Sequence, residues 1–167
     1  CMAAIVKLMG LLSEEIPMPT VIHRRVEQAR QKSLPSVVGR TRSGWIVMGD
    51  RQVVRGYCLL LPDPVVGTLN DLQGAAREQF LSDMVAAGDA LLAVTRAARI
   101  NYEILGNLEP ALHAHLFPRY TDEPAELRAR PIWFYDWNHA PAFDPVEHRD
   151  LMEKLREAMR QGGVVVG

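Results

Sequence analysis

Two histidines one residue apart, His113 and His115, sit in the run Ala111-Leu112-His113-Ala114-His115-Leu116-Phe117-Pro118-Arg119-Tyr120. An imidazole can attack phosphorus, donate to a phosphate oxygen or ligate a metal, and two on one face can divide such work. The alternation has the two-residue period of a half-buried strand. Leu112, Ala114 and Leu116 face one way; Ala111, His113, His115 and Phe117 face the other. Pro118 has no N–H for a ladder, so pairing is expected to stop near it, with Arg119 just beyond. Three readings follow: the pair attacks or clamps a phosphate, binds a metal, or is simply two satisfied surface histidines.

Attack on phosphorus needs neutral imidazole, with the lone pair on one nitrogen and the proton held on the other. A strand rim offers carbonyls beside the side chain, so His113 is placed to have its tautomer fixed by one. His115, about 7 Å along the strand, can donate to a phosphate oxygen and offset charge developing in the transition state. Asn101 and Asn107 are neutral donors within reach of the same region. The metal reading wants a third ligand. His23, His139, His148 and Glu109 are the candidates, and none stands at a spacing that forces convergence on the pair.

The chain that must position these residues has 167 of them, enough for one domain with terminal extensions. At 48% hydrophobic and 23% charged it is composed like a soluble globular protein, and a net charge of −1 gives no reason to expect a nucleic-acid groove or an anionic membrane surface. Two cysteines cannot build a disulfide framework, and Cys58 lies in an apolar run as a small buried hydrophobe, which points to a reducing, cytoplasmic setting. The apolar run over 2–12 is short, broken by Lys7 and followed by Glu14 and Glu15. Residues 1–19 therefore read as an extension that packs as a short helix or on a partner, not as a leader or a membrane span.

From Thr20, a plausible N-cap, Ile22, Val26 and Ala29 follow at helical spacing until Leu34-Pro35; His23 falls in the first turn as a surface residue. Strands are expected at 36–39, 45–48 and 56–61, the last two joined by a hairpin loop over 49–55, and the last lacks polar alternation, as a central strand does. A long helix is expected over 74–98, with Asn70 and Asp71 as capping candidates and Phe80, Met84, Leu91, Val94 and Ala98 on its apolar face. A strand over 100–106 then forms an antiparallel hairpin with the histidine strand. This order describes an α+β domain, an antiparallel sheet of about five strands with helices on one side. Beyond it, 121–130 reads as a loop and 131–137 packs four aromatics into five positions, a segment too apolar to be solvated. A last helix has Asp144 at N-cap, Pro145 at N1 and Glu147 at N3. Its buried stripe is Leu151, Met152, Leu155 and Met159, and it stops at Gly162-Gly163.

The run Asn101-Tyr102-Glu103-Ile104-Leu105-Gly106-Asn107 with His113-Ala114-His115-Leu116-Phe117-Pro118 resembles the signature strands of the histidine triad (HIT) family of nucleotide hydrolases and transferases. The likeness covers residues 20–120, leaving 1–19 as an N-terminal extension and 121–167 as a C-terminal extension packed on the domain or a dimer partner. The family pattern is His-φ-His-φ-His-φ-φ, φ being apolar, with the middle histidine as nucleophile. The resemblance implies a HIT-like fold, His113 as that nucleophile, and His115 on the α-phosphate. It further implies Asn101 and Asn107 near the phosphates and Asp50 on the ribose hydroxyls, which a carboxylate can accept from. Read without it, Asp50 is a turn residue and Asn107 a turn former.

The sequence departs from the pattern twice. Ala111 stands at the first triad position, and Val65 follows Pro62-Asp63-Pro64 where the family commonly has a histidine. A backbone carbonyl at 111 can still orient the nucleophile. The expectation is a homodimer, its long helix and an adjacent strand at the interface, that acts without a metal or other cofactor at the α-phosphate of a purine nucleotide or dinucleotide. The rival readings are a nucleotide-binding protein without turnover and a metal-dependent hydrolase built on the His-x-His pair.

Overall fold

The computed structural model describes residues 19–164. The N-terminal extension through residue 18, expected to pack as a short helix or on a partner, lies outside the described residues. Helix α1 (Val21–Arg30) opens on Thr20, whose hydroxyl accepts from the His23 N–H, and buries Ile22, Val26 and Ala29 as the spacing predicts. Strands β1 (Val37–Arg40), β2 (Gly44–Met48) and β3 (Cys58–Pro62) follow as an antiparallel meander. Helix α2 (Gly74–Thr95) crosses to β4 (Arg99–Glu103) and β5 (Ala114–Arg119), which pair antiparallel, and β5 inserts beside β3. The result is one five-stranded antiparallel sheet of order β1-β2-β3-β5-β4 in an α+β fold. A single turn, α3 (Ala125–Arg128), and the amphipathic α4 (Arg149–Gln161) complete the four α-helices among the described residues.

The strand alternation sorts the core into two clusters on opposite faces of the sheet. Ile46, Met48, Leu60, Ala114 and Leu116 pack with Phe80, Leu91, Leu155 and Met159 of α2 and α4. Val47, Leu59, Leu61, Ala111 and Phe117 pack instead under Ile22 and Val26 of α1 and Ile132 of the aromatic segment. The helices thus lie on both faces, where the sequence order suggests one. The cause is that every residue of β3 is buried, so both its faces need a cover. Fully burying a Leu or Met side chain contributes about 1.5–3 kcal/mol, so both faces matter to stability. The outer carbonyls of the edge strand β1 are covered by α4: Arg156 donates to Val37 O and Val38 O. Asp83 of α2 accepts from the N–H and hydroxyl of Ser43, pinning the β1–β2 turn.

Several boundaries differ from the sequence reading for local reasons. Asn70 and Asp71 lie in a 3-10 turn (Leu69–Asp71) in which Asp71 accepts from the Thr68 N–H; α2 starts only after Gln73. Arg96, at φ 58°, ends α2 with its N–H on Leu92 O, leaving Ala98 outside the helix. Pairing runs through Pro118 to Arg119 because the β3 side of β5 has already ended at Leu116, so no partner there needs the missing N–H. The α4 helix begins at Arg149, later than Asp144 suggests. Asp144 caps the separate turn before it, accepting from the Val146 and Glu147 N–H groups. Its stripe of Leu151, Met152, Leu155 and Met159 is buried as expected. Among the described residues, no helix is long and apolar enough to cross a membrane.

Candidate active site

The ladder brings the histidines up at the rim of the sheet. His115 lies in β5 opposite Leu59 of β3 and Glu103 of β4. His113 precedes the strand: the Leu112 N–H turns away to Val66 O, and Pro62 has no N–H to offer in exchange, so the ladder opens here rather than at Ala111. The side-chain alternation nevertheless continues, and both rings emerge on the α1 face, edge to face at 4.7 Å between centroids. Both residues are almost fully enclosed, with 7% and 8% exposure.

Each ring has one nitrogen committed. His113 Nδ1 lies 2.7 Å from Ala111 O. A carbonyl only accepts, so this nitrogen carries a proton, and the lone pair of the neutral ring is the one on Nε2. His115 Nδ1 lies 2.7 Å from the Tyr57 hydroxyl. Burial pushes the Tyr57 phenol well above its ordinary range, so it stays protonated. Burial, and then the neighbouring His113, push the His115 imidazole down to about 4, so this ring is neutral at pH 7. The Tyr57 hydroxyl has no other hydrogen-bond partner among the described residues, so its proton is satisfied only by donation to Nδ1, which puts the His115 proton on Nε2. The two imidazoles are held in opposite tautomers, one offering a lone pair and the other an N–H.

Tyr57 is the residue that sequence reasoning leaves inside an apolar strand. Its signal is register: with Leu59 opposite His115 and Cys58 opposite Leu116, position 57 falls on the histidine face beside Phe117. The Tyr57 and Phe117 rings stack at 4.3 Å. Gly49 makes the room, since a Cβ there would stand 2.2 Å from the Tyr57 ring carbons.

The aromatic segment closes over this row. Trp133 stands edge-on to His115 at 5.7 Å and stacks on Trp137 at 5.1 Å. Arg119, two turns of the pleat beyond His115, fixes the segment. It pairs with Glu123 at 2.8 Å and donates to Arg128 O and Arg130 O and to the Tyr135 hydroxyl. Burial alone would raise the Glu123 carboxyl, but hydrogen bonds from Arg119, Tyr135 and the Tyr120 N–H outweigh it and hold the group below the usual range.

His113 stands between two cavities. One, of about 280 Å³, is lined by Ile22, Arg25, Asp50 and Leu59; Asp50 pairs there with Arg25 while remaining 69% exposed. The other, of about 340 Å³, is lined by Asn107, Leu105, Leu108, His115 and Trp133. Glu109 borders both, with Oε2 accepting from the Val21 N–H and Oε1 buried without a partner. Asp50 and Asn107 are thus brought to His113 from opposite sides. Asn101 lines neither cavity: it pairs with Phe117 in β4 and borders a separate hollow with Arg99 and Arg130. His23, His139 and His148 sit apart on the surface, bonded to Thr20, Asp136 and Asp144. Among the described residues, no three His, Cys, Asp or Glu side chains converge as a metal site would require.

No protein-family model matches the chain, and no curated protein matches it by sequence. Solved structures do. A histidine triad protein from Bradyrhizobium japonicum is 25% identical with a TM-score of 0.64, over 73% of this chain and 88% of that one. A histidine triad protein from Marinobacter aquaeolei is 19% identical with a TM-score of 0.65, over 75% and 88%. One from Sinorhizobium meliloti is 20% identical with a TM-score of 0.64, over 73% and 87%. With this sheet order, these helices and these neighbours, the chain has the histidine-triad-like fold.

Proposed function

We propose that this protein hydrolyses or transfers a nucleotidyl group, with His113 as the nucleophile. The observation that carries the reading is the pair of Nδ1 contacts, His113 to Ala111 O and His115 to the Tyr57 hydroxyl, which leave both Nε2 atoms uncommitted. Ala111 O leaves the His113 Nε2 lone pair free, and Tyr57 leaves the His115 Nε2 proton free. In the first step the His113 Nε2 lone pair forms a bond to the α-phosphorus of a purine nucleotide derivative. The bond to the leaving group breaks, and its electron pair departs with that group, which takes up a proton from solvent. His115 donates to a non-bridging oxygen as charge develops there. Water then attacks the nucleotidyl-histidine and gives up a proton to solvent, the N–P bond returns its pair to Nε2, and a nucleoside monophosphate leaves. Asp50 binds the ribose hydroxyls and Asn107 the phosphate. No step uses a metal or other cofactor.

Ala111 lacks a triad imidazole but keeps the carbonyl, which is the part this mechanism uses. Cys58, buried within the core, suits a reducing cytoplasm. A homodimer is part of the proposal: β4 is an edge strand, and Tyr102 on it and Val85 on α2 leave apolar area exposed.

Incubation with adenosine 5′-phosphoramidate or a diadenosine polyphosphate tests the reading. Adenosine monophosphate should be released by the wild type and not by His113→Ala. Tight binding without product would leave a nucleotide-binding protein without turnover, and loss of activity on chelation would return the metal-dependent alternative.

A further inference from the structure

The loop over 49–57 between β2 and β3 carries Asp50 into the cavity of about 280 Å³ beside His113. The Asp50 carboxylate is itself largely exposed and pairs with Arg25, and an ion pair open to water fixes a side chain weakly. Its place is therefore set by the backbone that carries it. Two sets of hydrogen bonds grip that backbone. From within the loop, the buried Gln52 donates through Nε2 to Gly49 O at 2.8 Å and to Tyr57 O at 3.0 Å, and its Oε1 accepts from the Gly56 N–H at 3.0 Å. From outside it, the Gln52 N–H donates to Pro141 O and the Phe143 N–H to Asp50 O, each at 2.8 Å, with Arg51 opposite Ala142 between them. We propose that Gln52 is a positioning residue for the sugar of the substrate: together with residues 141–143 of the C-terminal extension it holds Asp50 at the ribose hydroxyls. This role rests on the nucleotidyl-transfer reading above, which puts Asp50 on the sugar, and gives the extension a part in it.

The partners of the amide admit one orientation. Gly49 O and Tyr57 O only accept and the Gly56 N–H only donates, so the Gln52 nitrogen faces the two carbonyls and the oxygen faces Gly56. All three partners are main-chain groups near the two ends of the loop, so a single side chain ties those ends together. Asp50 leaves the chain between that tie and the 141–143 stretch. Arg51 adds a further link to the extension, donating from Nη1 to Ala140 O at 3.1 Å. Hydroxyl recognition by a carboxylate is directional, and a misplacement of about 1 Å in a substrate-positioning group can cost on the order of a hundredfold in rate. The hydrogen bonds of Gln52 thus act on the sugar through Asp50, without Gln52 touching it.

Adenosine 5′-phosphoramidate and its 2′,3′-dideoxy counterpart test this, because they differ only at the hydroxyls. The wild type should favour the ribose form in kcat/KM by about tenfold, the worth of a hydrogen bond to a carboxylate. Gln52→Met keeps the bulk without the hydrogen bonds and should bring that ratio to within about twofold, whatever it does to the rate with either probe. A general weakening of the fold would slow both probes alike and leave the ratio at its wild-type value. Phe143→Ala and Phe143→Pro form a second pair: both lose the ring, and only proline loses the N–H that meets Asp50 O. The ratio should survive the first and collapse in the second, which decides the matter if Gln52→Met does not fold. A wild-type ratio kept in Gln52→Met or in Phe143→Pro overturns the proposal. If the wild type turns over neither probe, the catalytic reading fails alone, and the same ratios are read by calorimetry from the affinities of adenosine monophosphate and its dideoxy counterpart. A wild type blind to the sugar overturns Asp50 as the ribose ligand, and with it the role of Gln52.

Discussion

The Tyr57 hydroxyl lies 2.7 Å from His115 Nδ1, and this contact decides which His115 nitrogen carries the proton. Tyr57→Phe keeps the ring on Phe117 but removes the donor. A buried acceptor left unpaired costs about 1–3 kcal/mol, which the urea midpoint should register. The freed imidazole can then take either tautomer, so kcat should fall several-fold while KM changes little. An unchanged kcat would show that His115 needs no such partner.

Gly49 acts one step further out. Gly49→Ala places a methyl where the Tyr57 ring stands, and overpacking of this kind costs about 1–3 kcal/mol. The variant should reproduce the kinetic defect of Tyr57→Phe, and the two changes should be far from additive. Full additivity in a double-mutant cycle would separate Gly49 from the site.

The pH dependence of stability has a definite sign. The His115 imidazole is depressed to about 4 in the fold, against an ordinary value near 6.5 in the unfolded chain. Between those values the unfolded state binds the proton that the folded state refuses. The contribution is therefore complete above about pH 6.5 and is lost as the pH falls toward 4, by an amount on the order of 3 kcal/mol. Urea unfolding from pH 7 to pH 4 should show the decline, and His115→Asn should flatten it.

Arg119 and Glu123 form an ion pair in which both side chains are less than a tenth exposed. Removing one partner leaves the other charge buried, at about 3–5 kcal/mol. Arg119→Met should also loosen the 123–135 segment and with it Trp133, so acrylamide should quench indole fluorescence more strongly than in the wild type. Unaltered quenching would mean that the segment is held by its aromatic contacts alone.

Much of this site was legible as pattern. The His113–His115 alternation, the apolar rows of α1 and α4 and the unbroken burial of β3 follow from two- and 3.6-residue periods, which burial enforces directly. What stayed hidden depends on pairs distant in sequence. Tyr57 became a site residue only through the β3–β5 register, and Arg119 only because residues 123–135 fold back over it. The two-sided covering of the sheet was missed because periodicity within one helix does not say which face of a sheet it meets. Asn101 and Asn107 look alike as neutral donors, yet a strand residue points where its register dictates, and a loop residue goes where its hairpin bends.

The chemistry turns on one atom, His113 Nε2, and the most direct measurement is a rapid acid-free quench of enzyme with substrate followed by peptide mass spectrometry. A nucleoside-monophosphate adduct is expected on the peptide carrying His113, formed within one turnover, discharged by water and absent from His113→Ala. Turnover that proceeds with no such adduct, or that survives in His113→Ala, would contradict His113 as the nucleophile.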